Sequence, residues 1–253
     1  MRKIAVINQK GGVGKTTITT NLGHALAMIG YRVTVIDLDP LGQLATSYGL
    51  FRPPKRGIDR VMLSESAPDS VQIGVRDLLK LIPAGDRLNE VEELRDGGIK
   101  RAKLLRNGMN GKMLEQDFIL IDCPPSSGVL VANAIFTVEE ALIPVGGDYL
   151  SLDGLAKMMI TLKKFEPYLA KPLKKMIVLN RFNPRRRLAK EVFKKVLQYF
   201  PDDILSTQIR EAAVMAECPG VGRTIFDYRA TSRSAQDFTE LAHDLEMRRE
   251  LQW

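Results

Sequence analysis

The chain has 253 residues, 45% of them apolar, and a formal charge of +7. That length suits one α/β domain with a full core, and the basic excess points to a polyanionic partner, either nucleic acid or an acidic membrane face. Two cysteines, Cys123 and Cys218, stand far apart in no metal-ligand spacing, and no uncharged apolar run approaches the roughly 18–20 residues of a membrane span, so the expectation is a basic, cytosolic protein.

The chain enters an apolar run at once, Ile4-Ala5-Val6-Ile7, which predicts a strand near 3–8 and speaks against a cleaved leader. Residues 9–17 follow as Gln-Lys-Gly-Gly-Val-Gly-Lys-Thr-Thr. Leu22, Ala25, Leu26 and Ile29 recur at helical spacing, so a helix is predicted over 15–29, ended by Gly30. Strand, glycine-rich loop and helix together make a phosphate cradle, with backbone N–H groups and the positive helix end aimed at the anion. Gly11, Gly12 and Gly14 allow the close approach. Lys15 is placed for the β- and γ-phosphates, and the Thr16 hydroxyl for Mg²⁺. Lys10 has no task in this scheme.

A second strand is predicted near 32–37, in Val33-Thr-Val-Ile-Asp37-Leu-Asp39-Pro40, and ends in two carboxylates at the edge where open α/β sheets bind ligands. Residues 51–70, with Pro53, Pro54, Gly57 and Pro68, read as loop. A short strand is predicted near 79–83, and 86–116 reads as helical and polar. The run Phe118-Ile-Leu-Ile-Asp122-Cys-Pro-Pro125 predicts a strand near 117–122 ending in an acid suited to a Mg²⁺ hydration shell. Further strands are predicted near 140–144 and 175–180, and a weaker one near 203–209. The last helix, 233–251, carries Phe238, Leu241, Leu245 and Leu251 on one side. Apolar runs alternating with helical patterns predict an α/β fold: a mostly parallel sheet covered by helices on both faces, in a single domain spanning 1–253.

These residues resemble the ParA/MinD family of deviant Walker A ATPases, a branch of the P-loop NTPase fold, and most closely its ParA/Soj type. The resemblance rests on Lys10–Thr17, Asp37-Leu-Asp-Pro40, Asp122-Cys-Pro-Pro-Ser126, Ala141–Val145, Tyr149–Gly154 and the later Ile209-Arg210, Ala216-Glu217 and Gly222. It covers nearly the whole chain except 51–75 and 86–116. It implies an ATPase using ATP/ADP and Mg²⁺, with Lys10, Lys15 and Asp39 catalytic, and Asp39 positioning the attacking water. Gly11, Gly12, Val13, Gly14, Lys15, Thr16 and Thr17 would hold the phosphates, while Thr16, Asp37 and Asp122 would hold the metal shell. Lys10 would cross an ATP-sandwiched homodimer to the phosphates of the opposite subunit; the plain alternative is a solvated lysine. Without phosphates between them, two loops bearing Lys10 are expected to repel. Asn180 stands open between an adenine-reading amide and a turn residue after its strand. Two departures, Leu41-Gly42-Gln43 where the family usually has Gln-Gly-Asn, and Gly146-Gly147 where it often has an acid or Gln, bear on turnover rate.

Residues 157–195 hold thirteen Lys or Arg against Glu166 and Glu191, a local charge of about +11. No helix-turn-helix or zinc pattern accompanies them, so phosphate contact without sequence preference is expected. The DNA-binding candidates are Arg185, Arg186, Lys190 and Lys194, joined by Arg210, Arg223 and Arg233 because ParA relatives use basic residues nearer the C-terminus. The resemblance implies a nucleoid-associated partitioning ATPase for a chromosome or plasmid, stimulated by a ParB-like centromere-binding partner. A start directly at the ATPase strand favours the short chromosomal form. Other readings are a MinD-like membrane-associated ATPase, for which the tail offers only Met247, Leu251 and Trp253 as anchors, and a ParA-derived positioner of protein cargo. His24, His243 and Cys123 are expected to pack, and the two cysteines do not supply the paired pattern of nitrogenase iron proteins.

Overall fold

A computed structural model describes residues 1–113 and 115–250, with backbone alone for 248–250. Leu251 and Trp253 therefore lie outside the described residues. Eight strands form one sheet: β1 (Arg2–Val6), β2 (Val33–Asp37), β3 (Ile73–Arg76), β4 (Leu79–Ile82), β5 (Phe118–Asp122), β6 (Glu140–Gly146), β7 (Lys174–Phe182) and β8 (Ile204–Arg210). Their order is β3-β4-β2-β5-β1-β6-β7-β8. Every pairing is parallel except β3 with β4.

Eleven α-helices are described: α1 (Lys15–Met28), α2 (Gln43–Ser47), α3 (Ile58–Met62), α4 (Leu88–Glu92), α5 (Leu104–Met109), α6 (Val129–Thr137), α7 (Tyr149–Phe165), α8 (Arg187–Tyr199), α9 (Val214–Glu217), α10 (Ile225–Arg229) and α11 (Arg233–Glu250). Alternation along the central strands divides the core. In β5, Phe118 and Leu120 join the cluster under α1 and α11, while Ile119 and Ile121 join the one under α6, α7 and α8. Strands buried on both faces read as continuous apolar runs, which is why β1, β2 and β5 stand out in the sequence. Arg2 ties the layers together. Its Nε donates to Glu140 Oε1 at 2.7 Å and its Nη1 to the Leu245 carbonyl at 2.7 Å.

Three differences from the sequence expectations have physical reasons. The antiparallel strand β3 was not expected; it is three half-buried residues and an exposed glycine, too short to show a period. The loop-rich segment contains α3, whose Ile58, Val61 and Met62 are buried. The segment 86–116, expected to be helical and polar, holds only short helical pieces, and its Leu88, Val91, Leu105 and Met109 enter the core.

Register sets the site. Asp37 and Val6 are both register partners of Asp122, and Gly146 is the partner of Asn180. Five strand ends thus open at one edge of the sheet. The outer strand β8 is closed differently: its Thr207 and Arg210 N–H groups donate to Asp244 and Asp237 of α11 at 3.2 and 2.9 Å. Carboxylates two helical turns apart thereby occupy donors that an exposed edge would offer to another strand.

Candidate functional site

The loop between β1 and α1 folds as a cradle because its glycines take conformations that other residues resist. Gly12 and Gly14 lie at φ 74° and 90°. A Cβ on Gly14 would also stand 2.2 Å from Asn180 Nδ2. Asn180, buried at the end of β7, donates from that nitrogen to the Val13 carbonyl at 2.6 Å. It therefore fastens the loop to the sheet, and one N–H and the Oδ1 are left for another partner. Lys15 is buried, with its Nζ 3.3 Å from the Lys10 carbonyl. Burial holds its pKa below the ordinary lysine value, with the Asp122 charge acting against that shift.

The strand-end carboxylates face the loop. Thr16 Oγ1 donates to Asp122 Oδ2 at 2.6 Å, and Thr19 Oγ1 to Asp122 Oδ1 at 3.3 Å. Asp37 accepts the N–H groups of Asp39 and Leu44, both at 3.0 Å. Burial pushes Asp122 up to about 7, against the pull of Thr16 and Lys15. Burial and the neighbouring Asp122 push Asp37 well above the ordinary carboxylate range. Two buried acids that resist ionising together are a site short of positive charge. Among the described residues no three His, Cys, Asp or Glu side chains converge into a metal cage. A hydroxyl and carboxylates without nitrogen or sulfur ligands fit a hard cation such as Mg²⁺, which keeps waters and borrows phosphate oxygens. Thr16, Asp37 and Asp122 are the residues that could hold it.

Lys10 is not a solvated lysine. Its Nζ donates to Asp148 Oδ1 at 2.6 Å and to Ser151 Oγ at 3.0 Å, and its N–H donates to Asn8 Oδ1 at 3.0 Å. Asp148 is also the N-cap of α7, accepting the Ser151 N–H at 2.9 Å. A cleft of about 850 Å³ runs from Gly11–Thr17 past Asp39, Leu41, Asn180 and Arg181 to the segment between β8 and α9. A smaller pocket of about 340 Å³ lies on the Lys10 side of the loop, and Arg181 lines both.

A family model described as an AAA domain matches residues 1–175. The chain is 33% identical to the sporulation initiation inhibitor protein Soj of Bacillus subtilis, over 96% of this chain and 97% of that protein. It is 32% identical to the chromosome partitioning protein ParA of Caulobacter vibrioides, over 97% of this chain and 94% of that one. The chain belongs to the ParA/Soj family of ATPases. Among solved structures it is similar to the cobyrinic acid a,c-diamide synthase of Mycobacterium smegmatis with bound ATP analogue and magnesium, at 26% identity, TM-score 0.81 and coverage of 96% and 93% of the two chains.

Within this ParA/Soj chain, the structure brings together Lys10, Gly11, Gly12, Val13, Gly14, Lys15, Thr16, Thr17, Asp37, Asp39, Asp122 and Asn180 around one edge of the sheet. It does not gather the basic candidates. Arg185, Arg186, Lys190 and Lys194 are exposed on α8 and its approach, which packs on the α7 side of the sheet. Arg223 and Arg233 are exposed on the α1 side, where α11 packs. Arg210 is taken up by the buried Asp237, to which its Nε donates at 2.9 Å, and Arg186 pairs with Glu211 at 3.0 Å. Sequence reasoning gave Asp148 and Ser151 no role at the loop and counted Arg181 only within the basic stretch 157–195. An acid between a strand and a helix has no signature of its own, although Asp148 three residues before Ser151 is a cap pattern that could have been read. No helix among the described residues is long and apolar enough to cross a membrane.

Proposed function

We propose that the chain is a Mg²⁺-dependent ATPase switch that dimerises around ATP, binds DNA without sequence preference and partitions a chromosome or plasmid. The observation that carries the reading is the pairing of the phosphate cradle with a second lysine, Lys10, beside exposed apolar residues. Leu41 and Leu150, 73% and 70% exposed, flank the site. Apolar side chains of that exposure beside a charged site suit a face that a second copy covers.

In this reading the loop N–H groups of 11–16 and the Lys15 ammonium hold the β- and γ-phosphates, and Thr17 adds a contact to the α-phosphate. Thr16, Asp37 and Asp122 hold the hydrated Mg²⁺, which supplies charge neutralisation at the phosphates when bound. Asp39, whose Oδ1 accepts the Leu41 N–H at 3.0 Å, orients the attacking water. Asn180 meets the adenine edge with the groups that Val13 leaves free. Lys10 reaches the phosphates of the second subunit, where a cation in a dry site contributes several kcal/mol of transition-state stabilisation. DNA is met by Arg185, Lys190 and Lys194, with Arg223 and Arg233 on the other side of the sheet. A ParB-like centromere-binding partner stimulates turnover, and the ATP dimer resides on the nucleoid in the cytoplasm.

The test is a pair of variants followed by nucleotide binding, light scattering and turnover with non-specific DNA and the cognate partner. Lys10→Ala should keep ADP binding and lose stimulated hydrolysis, whereas Lys15→Ala should lose both. DNA affinity should be present with ATP, weak with ADP, and fall steeply between low and physiological salt. A Lys10→Ala protein that hydrolyses ATP like its parent would overturn the sandwich-dimer reading, and a flat salt response would overturn the DNA reading.

A further inference from the structure

We infer that Asp148 and Ser151 are positioning residues that hold Lys10 within its own subunit, and that this contact competes with delivery of Lys10 to a nucleotide bound by a second copy. The inference deepens the reading above and rests on Lys10 acting across the dimer. Within the chain the Lys10 ammonium is engaged by a carboxylate at 2.6 Å and a hydroxyl at 3.0 Å. An incoming phosphate would have to occupy the same surroundings, about 3 Å from the same nitrogen. There it would meet the negative charge of Asp148. Lys10 can serve one anion well or the other, and nucleotide-driven dimerisation must first break the internal pair.

The surroundings are built for that pair. Asp148 is fixed as the N-cap of α7, and its Oδ2 accepts the Ser151 hydroxyl at 2.8 Å. Asn8, which holds the Lys10 N–H, is itself anchored to the Pro144 carbonyl at 2.8 Å. Two glycines supply the space. A Cβ on Gly146 would stand 2.8 Å from Ser151 Oγ and 3.1 Å from Asp148 Oδ2; one on Gly154 would stand 2.9 Å from Lys10 Cβ. Neither glycine has a positive φ, so room, not backbone freedom, is what glycine provides at both positions. The departure at Gly146 from the wider family pattern thus falls on the residue that makes space for the contact. The pair also changes the expected gate on dimerisation. Lys10 is neutralised before any nucleotide arrives, so repulsion between two loops is blunted and the exchange of one anion for another takes its place.

The decisive variant is Asp148→Asn. Asn is an equally good helix cap, so α7 keeps its N-terminal acceptor while the charge on Lys10 is lost. With ATP and Mg²⁺, sedimentation velocity should show dimers at about three- to tenfold lower protein concentration than the parent, the range of a partly exposed ion pair. ADP affinity should be unchanged. Gly146→Ala, which crowds the pair without altering any charge, should shift dimerisation the same way. Adding Asp148→Asn to Lys10→Ala should give no gain over Lys10→Ala alone. If Asp148→Asn destabilises the chain, Ser151→Ala, which removes one of the two partners, takes its place. Dimerisation at or above the parental concentration in both Asp148→Asn and Gly146→Ala would overturn the inference. The trans-acting role of Lys10 would survive that result and falls only if Lys10→Ala keeps stimulated turnover.

Discussion

Asn180 Nδ2 lies 2.6 Å from the Val13 carbonyl, in space that a Cβ on Gly14 would invade. The end of β7 thus clamps the crown of the phosphate loop, two elements separated by more than half the chain. Preorganised N–H groups bind an anion well only if the loop does not have to be ordered on binding. Asn180→Ala should therefore weaken ADP binding about tenfold, by isothermal titration, with little change in melting temperature. Gly14→Ala should abolish binding, because it combines a Cβ at 2.2 Å from Asn180 with a φ of 90°. Parental ADP affinity in Asn180→Ala would show that the loop holds its shape unaided.

Asp122 makes the ligand-free protein sensitive to pH in the direction opposite to most carboxylates. Its folded-state value of about 7 lies above the ordinary 3.8, so the folded chain holds this proton more tightly than the unfolded one. The stability it contributes is full below about 3.8 and is lost as pH rises toward 7. Asp37, raised by the same burial, adds to the trend. Melting temperature without nucleotide or Mg²⁺ should fall from pH 5 to pH 8. Asp122→Asn should flatten that slope and stabilise the chain at pH 8 by on the order of 1–3 kcal/mol, while removing ATP turnover. An Asp122→Asn chain less stable than its parent at pH 8 would contradict this account.

Arg210 and Lys190 separate structure from surface charge. Arg210 exposes 41% of its side chain, but its partner Asp237 exposes only 2%. Arg210→Ala leaves that carboxylate with the β8 N–H alone and should cost about 1–3 kcal/mol in urea unfolding. Any loss of DNA affinity in it should follow the loss of folded protein. Lys190→Ala with Lys194→Ala should leave the unfolding midpoint in place and reduce the slope of log affinity against log salt by about 0.9 for each phosphate left unneutralised. Equal effects of the two sets on stability would sink the distinction.

The sheet was legible because β1, β2 and β5 each carry an apolar run buried on both faces, and because β2 and β5 end in carboxylates, Asp37 and Asp122, of the kind that recurs at ligand-binding edges. The site's phosphate loop was legible for the same reason: glycines at fixed spacing answer a backbone requirement that no other residue meets. What stayed hidden depends on contacts between distant residues. Asp148 is one acid among many until β6 and α7 bring it to Lys10, and Arg210 reads as surface charge until α11 places Asp237 beneath it. β3 and α3 are too short for a period to emerge, and tertiary burial of Ile58, Val61 and Met62 outweighs the proline-rich context around them.

Arg181 is the last residue whose conformation asks for a test. It lies at φ 52°, where a side chain costs about 1–2 kcal/mol, and it is the only non-glycine residue of that kind in the site among the described residues. Its Nη1 donates to the Gly12 carbonyl at 3.3 Å, from the wall shared by the cleft and the Lys10-side pocket. Backbone and charge can be taken apart by two substitutions. Arg181→Gly keeps the left-handed conformation without strain and removes the cation; Arg181→Lys keeps a cation and the strain. If the charge matters to the phosphates, Arg181→Gly should be as stable as its parent or more so, and bind ADP about three- to tenfold more weakly. Arg181→Lys should recover part of that affinity. Unchanged binding in Arg181→Gly, together with a higher melting temperature, would mean that the strain serves only to turn the chain from β7 toward α8.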